Sequence, residues 1–71
     1  MTIKELQGFW ETADHNAKAE LVNELRVEVH KRGPDMYSPR HPVTMRPARE
    51  YFSTETKAQI DQIEWLLSLA R

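Results

Sequence analysis

The side chains able to carry chemistry in this 71-residue chain are three histidines, eleven carboxylates and ten lysines and arginines, and there is no cysteine. His15, His30 and His41 stand 15 and 11 residues apart, a spacing that matches no metal-ligand motif, and no thiolate can complete a site. His30, Asp35 and His41 could meet across a turn, but His30 is explained more simply as a cation near a helix C-terminus. Glu20, Glu24 and Glu28 recur at helical spacing and read as one solvated face. A catalytic carboxylate pair needs an enclosed pocket that shifts one pKa, and a small helical chain has little volume for one. No glycine-rich phosphate loop, G-x-S-x-G or H-E-x-x-H is present. The expectation is a protein with no enzymatic activity, no metal and no cofactor.

The arginines point elsewhere. Arg40, Arg46 and Arg49 lie in PDMYSPRHPVTMRPAREYF, residues 34–52, with Met36, Tyr37, Val43, Met45, Tyr51 and Phe52. Tyr, Phe, Met and Arg are the residue types enriched at the centres of protein interfaces. The same stretch holds all four prolines, and the residues before them (Gly33, Ser38, His41 and Arg46) are biased toward extended backbone. Extended backbone leaves N–H and C=O groups free for a partner to pair with. Met36, Tyr37, Arg40, Met45, Arg46, Arg49 and Tyr51 are therefore the candidate partner-binding residues. The plainer alternative is a long crossover whose apolar residues cover a gap between helices.

The elements that must position this segment are helical by their spacing. Thr2 and Glu5 form a capping box, and Ile3, Leu6, Trp10 and Ala13 follow at intervals of three and four, with Phe9 on the flank. That predicts a helix over 3–13. Asp14 is the next N-cap candidate. Leu21, Val22, Leu25 and Val29 make a stripe, Lys31 and Arg32 suit a helix C-terminus, and Gly33–Pro34 reads as a stop, so a second helix is predicted over 15–32. A rival exists: Leu25, Val27 and Val29 alternate, which suits a short strand at 25–30 pairing with 42–46. Ser53 or Thr54 opens a third helix over 54–70, with Ile60, Ile63, Leu67 and Ala70 as its main stripe and Leu66 beside it. The expected fold is all-α: a helical hairpin and a third helix joined by an extended proline-rich crossover. Ile60, Ile63 and Leu67 are expected to pack on Leu6, Trp10, Leu21 and Leu25.

Trp65 and Leu69 are four apart and point away from the main stripe of the third helix, making it apolar on two sides. Either the 34–52 segment folds over Trp65 or a second copy of the chain covers it. A short chain gains most from a partner, so Trp65 and Leu69 are the expected contact of a homodimer.

Composition bounds the rest. The formal net charge is −1, divided as −1, +1 and −1 over residues 1–33, 34–52 and 53–71. A nucleic-acid module normally carries a basic excess on one face. The helix–turn–helix outline, with 15–32 as recognition helix and Lys18, Arg26, Lys31 and Arg32 upon it, keeps a DNA- or RNA-binding regulator as the alternative. Glu20, Glu24 and Glu28 oppose it. No run approaches a membrane span, the N-terminus lacks the apolar core of a signal peptide, and the absence of cysteine suits the cytoplasm. The expectation is a small protein–protein interaction module, an adaptor, inhibitor or regulator of the kind common in bacteria and phages; that last step is an analogy of size and class.

Overall fold

The computed structural model describes residues 1–70. Helix α1 spans Ile3–Thr12 and helix α2 spans His15–Leu25. The capping box forms: the Thr2 hydroxyl accepts from the Glu5 N–H at 3.1 Å, and the Glu5 carboxylate accepts from the Thr2 N–H at 3.3 Å. The Thr2 hydroxyl also lies 3.0 Å from the Glu5 carboxylate and donates to it, and that bond first, with the one from the Thr2 N–H, holds the Glu5 carboxyl below its usual pKa. Asp14 caps α2 by accepting from the Ala17 N–H at 2.8 Å. With α1 ending at Thr12 and α2 capped at Asp14, only Ala13 and Asp14 link the two helices.

Helix α2 does not run to residue 32. It stops at Leu25 because Arg26 turns left-handed, with φ 52° and ψ 48°. The Arg26 N–H bonds back to Asn23 O and the Val27 N–H to Val22 O, a Schellman closure. Its usual hydrophobic contact is present too, since Val27 packs against the cluster that contains Val22. Lys31 and Arg32, expected in a last helical turn, lie instead on strand β1 (His30–Gly33), which pairs antiparallel with β2 (Met36–Ser38). The fold is therefore mixed α/β, and the all-α expectation is overturned by this hairpin. Gly33–Pro34 is punctuation of a different kind: Pro34 and Asp35 are the two corner residues of the β-turn. Proline fixes the first φ and Asp35 takes φ 56°, the sign pattern of a type II turn. Such turns match the strand twist of a two-residue hairpin poorly. The ladder adjusts by a bulge: Lys31 faces Tyr37 and Gly33 faces Met36, leaving Arg32 as the extra residue. The rival strand reading had the right element type in the wrong place, because residues 42–44 form a turn.

The proline-rich segment is extended but folds back on itself. Tyr37 and Phe52 exchange both backbone hydrogen bonds, at 2.9 and 2.7 Å, and Ala48 N–H donates to Pro39 O at 2.8 Å. Arg40 and Pro47 form a further bridge. Residues 30–52 thus make a small three-ribbon meander with β2 in the middle.

Helix α3 (Glu55–Leu69), capped by Thr54, packs on α2 on one side and on β2 of the meander on another. Its inner face supplies Ile60, Ile63 and Leu67 to a core with Leu6, Leu21 and Val22, and Phe9, Trp10, Ala19, Val27 and Leu66 pack around them. Val22, absent from the expected contacts, is the fully buried centre, whereas Leu25 in the last turn of α2 is 45% exposed. Trp10 donates through Nε1 to Glu64 at 3.2 Å, and Lys18 lies over the Trp10 ring while pairing with Glu64 at 3.8 Å, joining all three helices.

Candidate interaction surface

Two glutamines of α3, three residues apart, satisfy backbone groups that arrive from other parts of the chain: Gln62 bonds to the meander and Gln59 to the link that leads from α2 into it. Gln59 donates to Val27 O at 2.9 Å, and Gln62 accepts from the Arg40 N–H at 2.8 Å. Both are buried, because the Val27 carbonyl and the Arg40 N–H must be satisfied there. Ser38 is fully buried on β2, and its hydroxyl, like Gln59 Oε1 and Arg40 Nε, has no hydrogen-bond partner among the described residues.

Beyond Arg40 the chain makes a tight tip. Met45 N–H donates to His41 O and His41 N–H to Arg46 O, both at 2.9 Å. Met45 closes the turn with φ 61°. The His41 ring acts as a cap, its Nδ1 accepting from the Val43 and Thr44 N–H groups at 3.1 and 3.2 Å. The same ring meets Trp65 in a T-shaped contact, at 5.0 Å between centroids and 78° between planes. The second apolar side of α3, which motivated the homodimer, is thus met in part by the chain itself. Trp65 is half-buried and Leu69 is exposed.

The seven expected partner-binding residues divide into two groups. Met36, Tyr37 and Arg40 are half-buried and engaged within the fold. The Arg40 guanidinium donates to Met45 O at 2.9 Å and touches His30 Nδ1 at 3.5 Å, and Lys31 lies over the Tyr37 ring at 5.9 Å. Arg32 plays a similar part, donating to Ala48 O at 2.8 Å. Met45, Arg46, Arg49 and Tyr51 are exposed, with Val43 beside them. Cationic side chains of the first group are spent on holding the meander; those of the second are presented to solvent.

Between the meander and α3 lies a cleft of about 290 Å³, bounded by Pro39, Ala48, Arg49, Glu50, Asp61 and Trp65. Burial, reinforced by the charges of Glu64 and Glu50, pushes the Asp61 carboxyl above its ordinary pKa. Sequence reading passed over Asp61 and Glu50. A signal for Asp61 was there, since it stands four residues before Trp65 and must share its helix face; Glu50, brought in by the fold-back of the meander, had none.

Among the described residues no three His, Asp or Glu side chains are grouped to hold a metal ion, and no helix is long and apolar enough to cross a membrane. No protein-family model, curated protein or solved structure matches the chain.

Proposed function

We propose that the chain is a small non-enzymatic interaction module, an adaptor or inhibitor that binds another protein through the outer surface of its meander. The observation that carries this reading is the division just described. The backbone of 37–52 is tied inward by its own hydrogen bonds and by Gln62, while Met45, Arg46, Arg49 and Tyr51 remain in solvent. Interface-type side chains on a pre-ordered backbone bind without the full cost of ordering a loop. A cytoplasmic setting fits a chain without cysteine. The nucleic-acid alternative loses support from the same geometry: Arg26, Lys31 and Arg32 fall outside α2, and the Lys18 side chain is paired with Glu64.

The test is affinity capture from cells of the source organism, comparing wild type with Met45→Ser/Arg46→Ala/Tyr51→Ala. Arg40 is left intact because it holds the tip. A specific partner that is retained by wild type and lost by the triple variant, with the far-ultraviolet spectrum unchanged, supports the surface. Full retention by the variant removes it.

A further inference from the structure

We propose that the cleft between the meander and α3 receives a lysine or arginine side chain contributed by the partner protein. This deepens the protein-binding reading and rests on it. The cleft combines two chemistries that such a side chain needs. Trp65, Pro39 and Ala48 offer apolar walls for a methylene stem, and an indole is the aromatic ring that attracts cations best. Asp61 and Glu50 bring carboxylates to the same space. The Lys18–Glu64 pair is the ion pair among the described residues, so neither Asp61 nor Glu50 has a counter-ion there. A volume of about 290 Å³ has room for one long side chain.

The free chain also pays for the arrangement. Asp61 is made harder to ionise by burial and by Glu64 and Glu50, a cost that an incoming cation would relieve. His41 fixes the tip against Trp65, so the wall is held in place before binding. Arg49 is the opposing group: it lines the same cleft with the sign of the proposed ligand. That makes its replacement diagnostic. If the cleft takes a cation, losing Arg49 strengthens binding; if Arg49 anchors an acidic partner, losing it weakens binding.

The experiment needs no partner. The full-length, isotope-labelled chain is titrated with Nα-acetyl-lysine amide, and separately with the norleucine and glutamate analogues, while the Trp65 indole and the Asp61 and Glu50 amides are followed by NMR. Saturable shifts with the lysine analogue at millimolar concentration are expected, with much smaller ones from norleucine. Asp61→Asn should weaken binding about fivefold, the worth of one partly screened ion pair. Arg49→Gln should strengthen it by about twofold. Equal shifts with norleucine would mean an apolar slot and overturn the proposal. So would binding of the glutamate analogue that is lost in Arg49→Gln, or silence toward all three at tens of millimolar. Asp61→Asn and Arg49→Gln change side chains at the surface, so both variants remain folded enough to read. A silent titration with capture by the meander intact removes the cleft alone; a positive titration with capture indifferent to the triple variant removes the meander surface instead.

Discussion

Helix α3 is gripped on its two sides by different forces. Toward α1 and α2 it presents Ile60, Ile63 and Leu67, whose contact with Leu6, Leu21 and Val22 is aliphatic and closely packed. Toward the meander it presents Gln62 and Trp65, and the contact is a hydrogen bond to the Arg40 N–H and one T-shaped aromatic contact, with Gln59 holding the Val27 carbonyl of the link that enters the meander. Apolar burial contributes in proportion to area and tolerates imprecise geometry. Hydrogen bonds to buried backbone contribute modestly when made and cost more when broken. The helical side should therefore set whether the chain folds, and the meander side should set whether one surface is ordered.

The largest expected effect comes from breaking the helical side. Leu67 is 3% exposed, and Leu67→Ala should cost about 2–5 kcal/mol through lost burial and a cavity. A chain of this length has roughly 4–10 kcal/mol in total, so the melting temperature should fall steeply for every probe at once. Leu25→Ala, at the half-exposed end of α2, should cost less than about 1 kcal/mol in the same urea titration. Equal losses would mean that the core extends further along α2 than its packing indicates.

Breaking the other side should be milder and local. Gln62→Ala strips the Arg40 N–H of its acceptor in a buried seam, at a cost of about 1–3 kcal/mol. Hydrogen exchange should speed up at Tyr37, His41, Ala48 and Phe52, whose amides close the meander, and stay slow in the middle of α2 and α3. Uniform loss of protection would show that meander and helices open as one unit, contrary to the contrast drawn between them.

The same contrast explains what could be read in advance. Caps at Thr2, Asp14 and Thr54 and stripes of period 3.6 are local, and all three helices form where those signals begin. The C-terminal limit of α2 was misjudged because Arg26 takes a left-handed conformation with no glycine to announce it. The Gly33–Pro34 signal was real but belonged to a hairpin corner. Alternation at Leu25, Val27 and Val29 registered the departure from helix without placing the strand. Gln59 and Gln62 look solvated in a sequence and are buried, because the groups they satisfy arrive from residues 22 to 32 positions away. His41 holds two backbone N–H groups as an asparagine often does, a role that composition does not suggest. Of the candidate site, the exposed residues Met45, Arg46, Arg49 and Tyr51 were legible by type; the carboxylate side of the cleft, which needs the meander to fold back on α3, was not.

The junction between the two regions offers a smaller and opposite effect. A left-handed conformation costs an L-residue about 1–2 kcal/mol, and glycine avoids it at an unfolded-state cost of about 0.5–1 kcal/mol. Arg26→Gly should therefore stabilise the chain by up to about 1 kcal/mol while leaving the closure on Val22 and Asn23 intact. Destabilisation in a thermal melt would mean that the Arg26 side chain contributes more than its exposed position suggests.

The smallest effect carries a distinctive pH signature. Asp61 has its folded-state pKa raised by burial first and by Glu64 and Glu50 second. A raised acid pKa means that the folded chain holds the proton more tightly than the unfolded chain does. Its stabilising contribution is fully present below the ordinary aspartate pKa of about 4 and is lost as pH rises through the raised folded value. At neutral pH the wild type therefore carries an uncompensated carboxylate that Asp61→Asn lacks. The variant should melt slightly higher at pH 7, within the roughly 0.5 kcal/mol typical of surface changes, and the gap should close as pH falls toward about 4. A gap that widens on acidification would reverse the sign and show that the Asp61 carboxylate is stabilised in the folded chain. With the expected sign, the residue that weakens the free chain at neutral pH is the one placed to hold a cation, which is the usual direction of exchange between stability and binding at a functional site.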